Sequence, residues 1–110
     1  LAAFARRIAE ARPDWLVEHA HMELARPDFE AGVERLVSRG AHAILVHLHF
    51  LGTGFHVREP LPRLADQMRE RHPGIEIELS TPLGDDPRLV EIVLDQMDLQ
   101  VPRERQRSKA

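Results

Sequence analysis

The chain has 110 residues, of which 43% are hydrophobic and 30% charged, and its formal net charge is −3. This composition is typical of one small folded domain, and the lack of cysteine excludes disulfides, thiolate metal sites and a cysteine nucleophile. No apolar run reaches membrane-spanning length and no signal-peptide pattern opens the chain, so we expect a cytoplasmic protein that does not contact a membrane.

Positive charge is concentrated at the carboxyl end. Residues 101–110 carry four basic and one acidic side chains, whereas residues 1–100 carry 11 basic and 17 acidic ones. An acidic body with a short basic end does not favour a nucleic acid as partner. We interpret residues 1–100 as an α/β domain and residues 101–110 as a basic tail that is solvated and frayed.

The first two predicted elements are a helix and a strand. The helix carries apolar residues at spacings of three and four, which are Leu1, Phe4, Ala5 and Ile8. It should end before Pro13, because the residue before a proline is pushed out of the α region. From Trp15 to Glu23 the side chains alternate, which predicts a strand with Glu23 at its end.

A second helix and an apolar strand follow. Pro27 and Asp28 begin the helix, Gly40 follows its end, and the core-facing residues are Phe29, Val33, Leu36 and Val37. Residues 43–50 are apolar without clean alternation. This pattern predicts a strand that is buried on both faces of a parallel sheet.

A glycine loop after this strand carries one histidine, His56. Gly52 and Gly54 allow positive φ and close approach of a ligand to the backbone. Ligands of open α/β sheets bind at the carboxyl ends of strands, so His56 should lie where chemistry takes place. The alternative for a single loop histidine is a structural or incidental role.

The last third predicts a helix, a strand and a final helix. The helix begins at Pro60, and its end is set by His72-Pro73-Gly74; the strand covers residues 75–80. Asp86 before Pro87 caps the last helix, whose apolar stripe is Leu89, Ile92, Val93 and Met97. The alternation of helices and strands indicates a three-layer α/β fold with a parallel sheet, and we interpret the Met and Phe positions as core.

Four further histidines share strand faces in pairs, His19 with His21 and His47 with His49. Two interpretations stay open, a metal cluster or hydrogen-bonded histidines that line or flank the cleft, and we favour the second. His21 is the best exception, because it shares the face of Glu23. His72 beside a helix end is interpreted as a partner of the helix dipole.

Three segments resemble the small sirohydrochlorin chelatases and together span nearly the whole chain. They are HLHFLGTGFHVREPLP at 47–62, HAHMELARPDFEAGVERLVSRGAHAILV at 19–46, and STPLG at 80–84 with Asp86-Pro87. The resemblance implies a chelatase-like fold, a flavodoxin-like half, in which two units or two repeats enclose a tetrapyrrole. Of these two arrangements we expect a homodimer. It implies insertion of divalent cobalt, iron or nickel into sirohydrochlorin in cobalamin or sirohaem biosynthesis. The metal is then a substrate, and no tightly bound cofactor is expected.

The resemblance also assigns roles to residues. His56 and Glu23 match two metal-facing positions of the family, and we expect His56 to hold the ion and help deprotonate the macrocycle while Glu23 adds charge and a second ligand. A third metal-facing histidine, after the family's first strand, has no counterpart here, and Pro60 stands where the family often has aspartate. The substrate carboxylates should meet helix N-termini and the backbone N–H groups of two loops, Gly52 to Phe55 and Ser80 to Gly84, with help from the charge of Arg58. The predicted substrate-binding residues are Gly52, Thr53, Gly54, Phe55, Ser80 and Thr81.

Two further expectations concern a strand upstream of Leu1 and an alternative, non-catalytic function. A parallel sheet without a central strand exposes unpaired backbone, so we predict about one more strand before Leu1, ending in a histidine turn. The alternative function is a non-catalytic chelatase-like domain that binds a metal or a tetrapyrrole. An upstream Gly-His turn favours the enzyme, and its absence favours the binding domain.

Overall fold

The computed structural model describes residues 1–21, 27–51 and 60–100. Its elements, in chain order, are α1 (Ala2–Ala11), α2 (Phe29–Ser38), β1 (Ala43–Val46), α3 (Pro60–Arg71), β2 (Glu76–Leu79) and α4 (Arg88–Gln100), with a 3-10 turn at Leu83–Asp85. Residues 101–110 lie outside the described residues, so the division into a domain and a basic tail stays a prediction. Within the described residues, no helix is both long enough and apolar enough to cross a membrane.

The ends of the first two helices follow from local side chains, as predicted. Helix α1 ends at Ala11, two residues before Pro13. At the start of α2, the Asp28 carboxylate accepts a hydrogen bond of 2.9 Å from the Ala31 N–H, which satisfies one of the unpaired donors of the first turn. Beyond its end, Gly40 has φ of 95°, a conformation that glycine adopts without a Cβ clash.

The two strands are parallel and joined through α3. In the register of the pair, Ile44 lies opposite Ile77 and Val46 lies opposite Leu79. A parallel pair needs a long crossover connection, which α3 supplies, and this arrangement confirms the predicted α/β class with a parallel sheet.

The core lies between one face of this sheet and the helices α2 and α3. Ile44 and Ile77 point into it from the strands, and the other buried hydrophobic residues are Phe29, Val33, Leu48, Leu61, Ala65 and Met68. Each helix contributes residues at spacings of three or four, so an apolar stripe of each packs on the isoleucine face.

The outer edge of β2 is covered by a side chain of α3. Arg69 donates to the carbonyl oxygen of Ile77 through Nε at 3.0 Å and Nη2 at 2.5 Å, and through Nη1 to Asp66 at 2.7 Å. An unpaired strand edge is a template for association with another chain. Arg69 therefore satisfies a carbonyl of β2 that would otherwise be available to a neighbouring strand.

An ionic cluster ties α2 to the end of α3. Arg71 bonds to Glu30 and lies 3.3 Å from Glu34, and His72 Nε2 lies 2.9 Å from the same Glu34 carboxylate. The hydrogen bond from His72, together with Arg71, lowers the pKa of Glu34. The His72 ring thus reaches across to a carboxylate of α2, a contact that was not predicted, and its role as a partner of the helix dipole stays a prediction.

Strand β1 is not buried on both faces, contrary to the prediction. It covers Ala43–Val46 only, and Leu45, on the face opposite Ile44, is 68% exposed. An apolar run allows a strand to be buried on both faces, but burial also requires an element that packs on each face. Helices α2 and α3 pack on the face of Ile44, and Leu45 lies on the opposite face.

A strand was predicted from Trp15 to Glu23, and the structure describes residues 15–21 of this range. These residues do not form a strand. His21 alone forms an isolated parallel bridge with Asp28, through its N–H and the Pro27 carbonyl at 2.7 Å. Alternating side chains do not supply a neighbouring strand, and a ladder needs the N–H and C=O groups of one.

Not every Met and Phe belongs to the core. Phe29 and Met68 are buried, as predicted, but Phe4 of α1 is 40% exposed and Met97 of α4 is 57% exposed. Periodic spacing shows that a helix has an apolar face without showing what covers it. In α4 the predicted stripe exists as a surface feature, with Ile92 also exposed.

Candidate active site at the carboxyl ends of the strands

An open depression of about 610 Å³ lies at the carboxyl ends of β1 and β2. It is lined by His47, which follows β1, and by residues of the segment from β2 to α4: Ser80, Thr81, Pro82, Leu83, Asp85, Asp86, Pro87 and Arg88. This edge is where ligands of open parallel sheets bind, and the sequence predicted a site there. Of the predicted site residues, the depression brings Ser80 and Thr81 together with His47.

Ser80 joins the two strand ends by two hydrogen bonds. Its N–H donates to the Val46 carbonyl at 2.9 Å, and its hydroxyl oxygen accepts from the Leu48 N–H at 3.1 Å. The Ser80 side chain therefore continues the sheet pairing beyond β1, which is a structural use of a residue predicted to bind substrate.

The loop after Thr81 stays against the segment that follows β1. Leu83 N–H donates to the Leu48 carbonyl at 2.9 Å, and Gly84 N–H donates to the Phe50 carbonyl at 2.8 Å. A Cβ on Gly84 would lie 1.9 Å from the Leu51 carbonyl oxygen, so only glycine permits this close approach of two backbones.

These contacts change the predicted use of the loop backbone. The N–H groups of Ser80, Leu83 and Gly84 already donate to carbonyls of the neighbouring segment, so they are not available to substrate carboxylates. Thr81 is exposed and lines the depression, which leaves its side-chain hydroxyl in a position to contact a bound molecule.

His47 and His49 form a hydrogen-bonded pair at this end of the sheet. His47 Nε2 lies 3.2 Å from His49 Nδ1, and the Phe4 ring of α1 lies 4.5 Å from the His49 ring and 6.5 Å from that of His47, centroid to centroid. His47 is exposed, but its partial burial, and then the charge of His49, lower the pKa of its imidazole. For this pair the hydrogen-bonded interpretation is confirmed.

The other histidine pair is differently arranged. The rings of His19 and His21 are 5.9 Å apart and meet edge to face. No group of three or more His, Asp or Glu side chains in residues 1–21, 27–51 and 60–100 is arranged to hold a metal ion. His56 and Glu23, together with Gly52, Thr53, Gly54, Phe55 and Arg58, lie outside the described residues, and their roles stay predictions.

Arg88 is a site residue that the sequence analysis did not single out. Asp86 accepts from the Arg88 N–H at 2.9 Å, which confirms its capping role at the start of α4, and from Nη2 of the same residue at 2.7 Å. These bonds lower the pKa of Asp86 to about 2. One feature of the sequence could have indicated Arg88: it stands two residues after the predicted helix cap Asp86, in the segment that follows the carboxyl end of a predicted strand.

Comparison with known families identifies the fold. The CbiX family profile matches residues 1–99. The chain belongs to the CbiX family. This CbiX-family chain is 32% identical, over 89 residues, to a protein named sirohydrochlorin cobaltochelatase from Saccharolobus solfataricus, and the match covers 76% of this chain and 70% of the relative. The resemblance found in residues 19–62 and 80–87 is thereby confirmed.

Longer relatives match as well. The CbiX-family chain is 31% identical to a sirohydrochlorin ferrochelatase from Priestia megaterium, with 74% of this chain and 30% of the relative covered. It also superposes on the structure of SirB from Bacillus subtilis with Fe3+ at a TM-score of 0.74 and 31% identity, covering 92% of this chain and 41% of SirB. The chain thus spans less than half the length of these two proteins, and the superposition confirms the chelatase-like fold.

Proposed function

We propose that the protein is a metal chelatase, a lyase that inserts a divalent ion into a sirohydrochlorin-type tetrapyrrole. The observation that carries this proposal is the family match over residues 1–99, with relatives named for sirohydrochlorin and for iron or cobalt. A non-catalytic metal- or tetrapyrrole-binding domain is not favoured, because these relatives are named as chelatases.

The metal ion is a substrate in this proposal. The names of the relatives support iron and cobalt, and SirB has been solved with Fe3+. These metals correspond to sirohaem and cobalamin biosynthesis respectively, and nickel stays a prediction from the resemblance. His56 and Glu23 are the proposed metal-facing pair, since neutral imidazole is a good ligand for such borderline ions and a carboxylate exchanges readily.

The depression beside His47 is proposed to receive a carboxylate-bearing edge of the macrocycle. Asp86 accepts from Nε and Nη2 of Arg88, so Nη1 and the second N–H of Nη2 are the donors with which this guanidinium can meet a further carboxylate. The Thr81 hydroxyl supplies a second, neutral donor on the same rim.

We further propose a homodimer with the macrocycle between two copies. A single small unit offers one wall to a flat substrate, so a second copy is proposed to supply the other wall. The cytoplasmic location expected from the sequence stays a prediction.

The test is an anaerobic assay that follows the absorbance of sirohydrochlorin as Co2+ or Fe2+ is added. We expect the parent protein to accelerate metallation, His56→Ala to abolish it, and Glu23→Gln to weaken metal binding by removing a negative charge. His42→Ala is the control, because His42 lies at the opposite end of β1 and is exposed. A parent protein that binds the macrocycle without accelerating metallation would contradict the proposal.

A further inference from the structure

Asp86 holds the guanidinium of Arg88 along one of its edges. The carboxylate accepts from Nε at 3.1 Å and from Nη2 at 2.7 Å, and one of its oxygens also caps α4 by accepting from the Arg88 backbone N–H at 2.9 Å. The Arg88 side chain is 79% exposed, so little packing restrains it and these bonds set its direction. Both residues line the depression at the carboxyl ends of the strands.

A guanidinium has more than one pair of parallel N–H groups. Asp86 takes the pair formed by Nε and Nη2, which leaves the pair formed by Nη1 and the second N–H of Nη2 on the adjacent edge. Such a pair matches the two oxygens of a carboxylate that lies in the plane of the guanidinium. Arg88 can therefore bind a second carboxylate while it stays bonded to Asp86.

We propose, resting on the proposed chelatase function, that Asp86 is a positioning residue for substrate recognition, which orders Arg88 to bind one side-chain carboxylate of the tetrapyrrole. A substrate that meets an ordered guanidinium does not have to restrain a long, flexible side chain when it binds. The group that Arg88 selects is an ionised carboxylate, because an ester lacks the charge that strengthens both bonds.

Charge alone predicts the opposite effect of Asp86. Two carboxylates, Asp85 and Asp86, line the depression together with the guanidinium of Arg88. Loss of the Asp86 charge makes this rim less negative, which by itself favours an anionic substrate. If Asp86 acts through Arg88, its loss weakens binding in spite of the change in charge. The sign of the change in affinity therefore distinguishes positioning from charge.

The experiment titrates metal-free sirohydrochlorin with the parent protein, with Asp86→Asn, with Arg88→Ala and with the double variant, and follows the absorbance of the macrocycle under anaerobic conditions. Arg88→Ala should weaken binding about tenfold, the lower end for loss of a hydrogen bond between charged groups. Asp86→Asn should weaken it about threefold, since the substrate then has to order Arg88 itself. In the Arg88→Ala background, Asp86→Asn should weaken it no further.

Three further measurements separate this role from a structural one and from charge. Asparagine caps a helix about as well as aspartate, so the urea midpoint of Asp86→Asn should stay near that of the parent. Glu91→Gln removes another negative charge that acts on Arg88, and it should bind the macrocycle at least as tightly as the parent. In the metallation assay, Asp86→Asn should raise KM for the macrocycle and leave kcat unchanged, because the carboxylate contact is equal in substrate and transition state.

An Asp86→Asn variant that binds as tightly as the parent, or more tightly, would overturn the positioning role. An equal loss of affinity in the Arg88→Ala background would do the same, since Asp86 would then not act through Arg88. Parent affinity in Arg88→Ala would overturn carboxylate recognition by this residue. A parent protein that binds sirohydrochlorin without inserting metal overturns the proposed function alone, because the titration still decides the role of Asp86. A parent protein that does not bind sirohydrochlorin overturns both.

Discussion

Gly84 offers the sharpest test of how the two strand ends are held together. A Cβ at this position would lie 1.9 Å from the Leu51 carbonyl oxygen and 2.6 Å from its carbonyl carbon. Real Cβ contacts essentially never fall below 3.0 Å, so the two backbones have to separate by about 1.1 Å from the present 1.9 Å. No side-chain rotation relieves the clash, because the opposing atoms are backbone.

The cost of Gly84→Ala follows from two effects. Overpacking against fixed atoms costs about 1–3 kcal/mol, and separating the backbones breaks the 2.8 Å hydrogen bond from Gly84 to Phe50, which adds about 1 kcal/mol. We therefore expect Gly84→Ala to lower the free energy of unfolding by about 2–4 kcal/mol. Gly74→Ala is the matched control, since a Cβ there meets nothing within 4 Å.

The measurement is urea unfolding followed by circular dichroism. With a slope of about 1–3 kcal/mol per molar urea for a domain of this size, Gly84→Ala should lower the midpoint by about 1 M or more. Gly74→Ala should leave it unchanged or raise it slightly, because alanine restricts the unfolded chain. Equal midpoints for the two variants would refute the close approach of Gly84 to Leu51.

Two further predictions concern the core and the start of α4. Ile77, 2% exposed at the centre of the core, should lose about 2–5 kcal/mol of unfolding free energy on change to alanine, whereas Glu78→Ala on the exposed face should change it little; the same urea titrations test this. The pKa of the Asp86 carboxyl, about 2 beside Arg88, should rise in Arg88→Ala but stay below its ordinary 3.8, because the backbone N–H of residue 88 still donates to it; NMR titration measures this. Because the pKa of Asp86 is lower in the folded state, the pair stabilises the fold above the ordinary pKa, and this contribution is lost as the pH falls through about 2. An unchanged Asp86 pKa in Arg88→Ala would contradict the ion pair.

Helix boundaries were predictable because the groups that set them act within a few residues. Asp28 bonds a backbone N–H three positions along, Pro13 restricts its immediate neighbour, and Gly40 takes up a conformation that other residues avoid. The family resemblance was predictable for a related reason, since it depends on short motifs of consecutive residues. Such features need no knowledge of what packs against them.

Which apolar side chains are covered by other helices or strands was not predictable in the same way. The apolar character of Leu45 and the periodic place of Phe4 are visible in the sequence, but the exposure of both depends on which elements lie over them. The same holds for the site. The bond from Leu48 to the Ser80 hydroxyl joins residues 32 positions apart, and no local pattern distinguishes a serine that closes a loop from one that binds a substrate.

The way the strand ends are joined decides which groups are left for recognition. In the described part of the loop after β2, three backbone N–H groups donate to carbonyls, one at the end of β1 and two beyond it. These bonds hold the depression in shape but remove the three donors from ligand binding. Under the proposed function, contact with the carboxylate-rich substrate falls to side chains on the rim, which are the Thr81 hydroxyl and the Arg88 guanidinium, with His47 beside them. Side chains can be exchanged without disturbing the backbone bonds, so substrate preference at this edge can change while the fold stays the same.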